Sequence, residues 1–280
     1  MTLLTSGDGA AILRPEEVAE LIIEPLIRDS IAATVSTTLQ TQSHSMRFPV
    51  VKADPTTSWT AEGAEIDVSD ADLDEIDCVP KKLAGLTVVS SELADDSDPA
   101  AIDVVGQGLV RDLQTRLDAA FFGNTTLNGP SGLQSLSDVQ HVDAGSTLSN
   151  LDAFAEAISL AEQVGATITA FVLNPEDLLT LSTIKVASQW EQPLLNIDPS
   201  SRTKRSAQGV PLQWSPAVPE GTIWGIPQAK VFAVLRLPVS VATDRSAYFS
   251  SDRLGIRCVT RWGFAFPHQQ AIVKIGVGGS

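Results

Sequence analysis

The chain has 280 residues, 43% of them hydrophobic and 19% charged, which is enough for one large domain or two joined ones with a real core. A formal net charge of −15 argues against gripping nucleic acid as the main task, because phosphate contact needs clustered Lys and Arg. No apolar run approaches the roughly 18 residues that span a bilayer, and two cysteines make no disulfide framework.

Pro15 to Asp29 reads as a helix, with Pro15 at the first position and Glu16 and Glu17 at the positive end of the dipole. Pro25 interrupts its stripe. Residues 34–46 are rich in Thr, Ser and Gln and read as an extended arm rather than a core element. Arg47 to Thr60 and Ile76 to Ser90 then read as the two strands of a long hairpin. Pro49, Pro55 and Pro80 suit a ribbon with free edges. Fourteen extended residues reach about 46 Å at roughly 3.3 Å each. Residues 53–98 hold 13 acids against Lys81 and Lys82, a net −11, and the acids Asp70 to Asp77 are expected at or just past the hairpin tip. The alternation of Leu86, Val88 and Ser90 with Thr87 and Val89 marks the point where the chain joins a packed sheet.

The strongest helix signal follows. Asp98 is its N-cap, Pro99 its first residue and Gly123 its terminator. Its stripe is Ile102, Val105, Leu109, Leu113, Leu117 and Phe121. Gly106 and Gly108 weaken its middle by roughly a kcal/mol apiece, so it needs tertiary support or the close approach of a neighbouring backbone. Ser149 to Val164 is a second helix with a capping box at Ser149 and Asp152. Ala166 to Leu173 is a buried-type strand, and Asn174 and Pro175 start a helix through Leu181. Strands follow at Leu212–Trp214, Thr222–Trp224, Lys230–Leu235, Val239–Ala242, Gly255–Trp262 and Ala271–Val277. The fold class is α+β, without a repeating βαβ unit.

Chemistry-bearing motifs are scarce. There is no phosphate loop, nucleophile elbow, H-E-x-x-H or C-x-x-C, and His44, His141 and His268 lie in unrelated contexts. Asp70, Asp72 and Asp74 imitate a calcium loop, but Glu75 stands where Gly is needed and Lys81 where a bidentate Glu belongs. Glu62 and Glu65, as a glycosidase acid pair, are no better than chance among so many acids. Trp59, Trp190, Trp214, Trp224 and Trp262 lack basic interleaving and read as core or interface residues. Arg202, Lys204 and Arg205 read as a solvated loop. Cys78 and Cys258 read as buried thiols of a chain made in a reducing cytoplasm. Met1 to Ala11 shows no secretory signal. No catalytic group, metal site or cofactor is expected.

Six stretches carry a resemblance through their order. They are Trp59-Thr-Ala-Glu62-Gly63, Lys81-Lys-Leu-Ala-Gly-Leu-Thr-Val-Val-Ser-Ser-Glu-Leu93, Asp118-Ala-Ala-Phe-Phe-Gly123, Phe171-Val-Leu-Asn-Pro175, Gly209-Val-Pro-Leu-Gln-Trp-Ser-Pro-Ala-Val-Pro-Glu-Gly221, and Arg253-Leu-Gly-Ile-Arg257 through Arg261-Trp262 to Pro267. Over roughly residues 15–277 the chain resembles the major capsid protein of tailed bacteriophages, with the Hong Kong 97-like fold.

The resemblance implies an N-terminal arm at 1–46, an extended β-hairpin loop at 47–90 and a peripheral domain with its spine helix at 91–131. An axial domain at 132–245 and closing strands of the peripheral domain at 246–280 complete it. It implies self-assembly as pentamers and hexamers into an icosahedral shell around double-stranded DNA, bound without sequence specificity. Portal, scaffolding and decoration proteins are the further partners. No membrane is involved, and the place is the virion, built in the host bacterial cytoplasm. The inter-subunit contacts it implies fall on Trp59, Glu62, Glu65, Asp70, Asp72, Asp74, Arg111 and Arg116. Arg28, Arg47, Arg111 and Arg116 are the cations expected to answer a neighbour's acids. Some relatives carry a cleaved N-terminal scaffolding segment. This chain starts almost at the arm, which implies a separate scaffold or little need of one. Lys52 is the only lysine on the first hairpin arm available for a Lys–Asn cross-link. An encapsulin-type compartment shell is the related alternative. A soluble acidic hydrolase or calcium-binding module is the alternative from another class.

Overall fold

The computed structural model describes residues 30–53, 55–63, 65, 68–70, 72–90, 100–185, 193–195, 205–244 and 246–278. In chain order the elements are α1 (Ile31–Val35), β1 (Thr37–Gln40), β2 (Met46–Ala53), β3 (Asp72–Cys78), β4 (Lys81–Ser90), α2 (Ala100–Phe122), β5 (Gln140–Asp143) and α3 (Asp152–Gln163). Then come β6 (Ala170–Leu173), α4 (Pro175–Thr183), β7 (Arg205–Ala207), β8 (Val210–Trp214), β9 (Thr222–Ile226), β10 (Phe232–Asp244), β11 (Arg253–Ala265) and β12 (Val273–Gly276).

Helix α2 is the spine that the sequence stripe specifies. Val110, Leu113, Leu117 and Phe121 are buried along one side, three to four residues apart, as a helical face requires. They share an apolar cluster with Cys258 and Trp262 of β11 and with Leu235 and Val239 of β10. The helix therefore covers one face of the four-stranded sheet β1-β10-β11-β4. Phe121 stacks edge-on against Phe122 and Phe264, both with ring centroids at 5.0 Å. The helix ends where Gly123 N–H donates to the Ala119 carbonyl. Gly132 then passes so close to the helix terminus that a Cβ there would overlap the carbonyls of Ala120, Phe121 and Gly123. Gly106 meets nothing within 4 Å, so no close approach explains it.

The second sheet has six strands in the order β5-β12-β9-β6-β8-β7. The run Ala170–Leu173 is apolar throughout because both faces are covered. Ala170 and Val172 enter the cluster of α2, while Phe171 and Leu173 enter that of α3. Phe154 of α3 meets Phe171 edge-on at 4.9 Å. Helix α4 starts as the sequence indicates: Asn174 accepts from Glu176 N–H, and Pro175 has no N–H that needs an acceptor.

Several expectations change. The second hairpin arm is not one strand. It breaks at Val79 and Pro80, so that β3 pairs with β2 while β4 pairs with β11, Lys81 opposite Trp262 and Ser90 opposite Arg253. Pro80 lacks the N–H a continuous ladder needs. The first arm ends at Ala53 rather than Thr60. The acids of β3 are consequently not at the tip. Asp74, Glu75 and Asp77 stand opposite Val50, Pro49 and Arg47.

Residues 34–46 are not a free arm over their first half. Strand β1 runs parallel to β10, Ser36 donates to the Ala32 carbonyl at 2.6 Å, and Thr37 to the Gln228 carbonyl at 2.8 Å. Their hydroxyls are taken up by backbone carbonyls, the Ser36 bond being buried. The capping box at Ser149 is not formed: α3 begins at Asp152, whose N–H is accepted by Asn150 Oδ1.

The strands read at 230–235 and 239–242 are one strand, β10, kinked by register shifts around Leu237 that accommodate Pro238. Thr260 Oγ1 donates to the carbonyl left free at Leu237. Of Ala166–Leu173 only the last four residues are strand, and β1, β5 and β7 were too short to show a period. The expected helix at 15–29, the cap at Asp98 and Pro99, Trp190, Arg202 and Lys204 lie outside the described residues. The two sheets cross the segment boundaries drawn from the sequence. β10 lies in the sheet under α2, and β12 lies between β5 and β9.

Candidate inter-subunit interface

Among the described residues, the hairpin of β2 and β3 is held to the body at its root. Phe48 and Cys78 form a small buried cluster with Val234 and Ala265, and Phe48 stacks on Phe232 at 4.9 Å. Gly263 makes this seating possible, since a Cβ there would lie 2.6 Å from Cys78 Sγ and 3.2 Å from Pro80 Cα. Beyond the root, Arg47 bridges Glu75 at 3.3 Å and Asp77 at 3.2 Å across the ladder. Val51, Leu73 and Val68 remain exposed, and Trp59 at the tip has 106% of its reference exposure.

The residues singled out in the sequence are all placed at the surface where their side chains are described. Trp59, Glu62, Glu65 and Asp70 lie on the segment between β2 and β3, and Asp74 on β3 is exposed. Asp72 opens β3 opposite Ala53. Arg111 and Arg116 are exposed on α2, with Arg116 held by Asp112 at 3.5 Å one turn earlier. Among the described residues no ion pair joins the hairpin acids to Arg111 or Arg116. Arg47, expected as an acceptor of a neighbour's acids, is engaged by its own hairpin, and Arg28 lies outside the described residues.

A second surface escaped the sequence reading. On β11, Leu254, Ile256, Cys258, Thr260 and Trp262 point to the core. The alternate positions Arg253, Arg257, Val259 and Arg261 therefore share the opposite face. Across β4 they stand beside Ser90, Leu86, Ala84 and Lys82. Across β10, Arg257 and Arg261 stand beside Ala242 and Leu237. Leu86 is 60% exposed, and Val88 and Leu237 are 38% exposed. Asp244 is the carboxylate on this face. The Ser246 hydroxyl and N–H hold its ionisation below the ordinary range, and Arg257 adds to the effect. The legible signal was the spacing of the arginines at 253, 257 and 261, an even number of strand residues apart.

The buried titratable groups serve structure. Burial pushes the Cys78 and Cys258 thiols up to about 11, the reverse of what a nucleophile requires. Asp118 on α2 accepts from Ser30 Oγ at 2.7 Å and from the N–H groups of Ala32 and Ile31 at 3.0 and 3.3 Å, fixing the start of α1. Burial raises its pKa against those three bonds. Among the described residues no group of three or more His, Cys, Asp or Glu is placed to hold a metal. No described helix is long and apolar enough to cross a membrane.

Known proteins share this arrangement. The model of the phage capsid family matches residues 10–277, so the chain belongs to that family. The capsid of an empty GTA particle is 18% identical at TM-score 0.72, covering 100% of this chain and 96% of that one. A structure from Microbacterium phage Oxtober96 is 16% identical at TM-score 0.72, covering 98% and 96%. One from Mycobacterium phage Bobi is 15% identical at TM-score 0.70, covering 96% and 100%. No curated protein matches. The fold is the Hong Kong 97-like capsid fold that the ordered sequence stretches resemble.

Proposed function

We propose that the chain is the major head protein of a tailed double-stranded DNA phage, assembling as pentamers and hexamers into the icosahedral shell of the virion. The observation that carries this reading is the hairpin. It is rooted firmly by Phe48 and Cys78, yet it exposes Trp59, Val68 and Leu73 beyond its root. Exposed large apolar groups on a projecting element mark an interaction surface, and in a shell the partner is another copy.

The chain works by assembly rather than by chemical turnover. The hairpin lies over an adjacent subunit through Trp59, Glu62, Glu65, Asp70, Asp72 and Asp74, with Arg111 and Arg116 on the spine as further contacts. The segments at 1–46, 47–90, 91–131, 132–245 and 246–280 act as arm, loop, peripheral domain, axial domain and closing strands. Drawn by sheets, β10 groups with the spine and β12 with the six-stranded sheet. Scaffolding, portal and decoration proteins are its partners during assembly in the host cytoplasm. A shell of chains that each carry a net −15 encloses DNA without gripping it.

Expression followed by negative-stain electron microscopy tests the proposal. Closed shells are expected. Monomers alone, under every scaffold and salt condition, would overturn it.

A further inference from the structure

We infer that the outer edge of β4 pairs antiparallel with the same edge of a second copy, joining two four-stranded sheets across a two-fold axis centred on Leu86. The inference rests on the shell reading and adds to it a contact made by backbone hydrogen bonds rather than by the hairpin.

β4 closes the order β1-β10-β11-β4, and among the described residues no strand lies on its side away from β11. Alternate residues of an antiparallel strand direct N–H and C=O away from the neighbour they already have. An outer strand is therefore a row of donors and acceptors open to another strand, and folded chains blunt it by shortness, charge, proline or a bulge. The other edges of the described sheets are blunted in these ways. β1, β5 and β7 are four, four and three residues long. In the hairpin, β2 carries Pro49, and β3 carries Asp74, Glu75 and Asp77. β4 has ten residues, none of them buried. Past Lys81 and Lys82, Leu83 to Val89 hold neither charge nor proline, and the register with β11 runs without a bulge.

Charge selects the direction of pairing and the occupant. Parallel pairing of two copies would set Lys81 and Lys82 beside their own counterparts. Antiparallel pairing carries them to the end where the other chain continues into Glu92, Asp95 and Asp96. The edge is thus complementary to itself. A two-fold contact also satisfies both edges at once and stops at two chains.

Geometry selects the centre. Residues directly opposite one another in an antiparallel pair share a face of the sheet, so a strand that pairs with itself is centred on a residue and not between two. Leu86, in mid-strand, sets its own side chain against its counterpart, Val88 against Ala84, and Lys82 against Ser90. The exposed Leu86 and Val88 then cover apolar neighbours instead of meeting water. An axis perpendicular to the sheet leaves the outward faces of both copies on one side, as a single shell wall requires.

Cysteine cross-linking in assembled shells tests this. Circular dichroism of Leu86→Cys and Val88→Cys should match the parent, since both side chains are exposed. Under oxidised glutathione, Leu86→Cys shells should yield disulfide-linked dimers on a non-reducing gel. Val88→Cys should yield about tenfold less, because its counterpart is four positions along, about 13 Å away at roughly 3.3 Å per residue. The parent, whose Cys78 and Cys258 are buried, should yield none. Closed Leu86→Cys shells without dimers, or with as many dimers as Val88→Cys, would overturn the inference and leave the shell reading standing. So would a cross-link from residue 86 to a different protein, which would make the edge a seat for another partner. Parent chains that never leave the monomer would sink both readings.

Discussion

The spine helix and the acidic hairpin satisfy their residues in opposite ways. On α2 the described core-facing side chains close within the chain. Its apolar side meets β10 and β11, and the buried Asp118 receives three donors from the start of α1. On the hairpin, Phe48 and Cys78 close in this way, while Val51, Trp59, Val68 and Leu73 beyond them face water. A sequence element whose pattern is complete inside one copy belongs to folding. One whose pattern is complete only against something else belongs to assembly. Substitutions on the two elements should therefore separate two measurements that are usually confounded, the stability of the isolated chain and its capacity to associate.

Phe121→Ala should have the largest effect, about 3–5 kcal/mol on unfolding, because the ring is fully buried among Phe122, Phe264 and Phe266. Thermal or urea denaturation of the unassembled chain reads it. A loss below about 1 kcal/mol would mean that the helix does not seal the core as its burial indicates. Trp59→Ala should do the reverse. Unfolding should stay within about 0.5 kcal/mol of the parent, while association weakens by about 2 kcal/mol, a hot-spot loss. Sedimentation across a concentration series reads the second quantity. Equal association with and without the indole would remove Trp59 from the interface.

How far the sequence disclosed all this follows the same division. The spine was legible because a helix repeats its signal every three or four residues, from Val105 to Phe121, and its terminator Gly123 is a single unambiguous residue. The hairpin was legible as a ribbon, from its prolines and charge. Its division at Pro80 was not, because β3 and β4 are both strands and differ only in partner. The docking of residues 30–40 was hidden by composition. Ser30, Ser36 and Thr37 look solvated but bond to Asp118, to the Ala32 carbonyl one turn back and to the distant Gln228 carbonyl. Of the proposed contact residues, the tip acids and Trp59 stood out because nothing in their neighbourhood could cover them. The arginines of β11 did not, since their common face exists only once β4 is laid beside them.

Asp118 sharpens the comparison at the junction of arm and spine. Asp118→Ala removes the acceptor at the start of α1 and should cost about 1 kcal/mol, with increased hydrogen exchange confined to residues near 30–40. The pH dependence carries the sign. Burial raises this carboxyl in the folded chain above its ordinary value of 3.8. Its contribution to stability is thus complete below that value and declines as pH rises through the folded pKa. Asp118→Asn, which never ionises, should lose this decline, so the parent should fall relative to the variant as pH rises from 3.8 upward. A parent that instead gains on the variant would show that the three hydrogen bonds outweigh burial.

Arg47→Ala should be nearly silent in folding and informative in assembly. Its two bridges are solvent-exposed at both ends, the setting in which ion pairs contribute least. Removing it frees the Glu75 and Asp77 carboxylates and makes the hairpin more negative by one charge. If those carboxylates meet cations on another copy, association of Arg47→Ala should strengthen at low salt. It should also fall more steeply as salt is added, because more of the contact is open to screening. Light scattering of assembling particles across an ionic-strength series distinguishes the cases. A shallower salt dependence than the parent's would mean that Arg47 itself receives a neighbour's acids, and that its bridges within the hairpin yield on assembly.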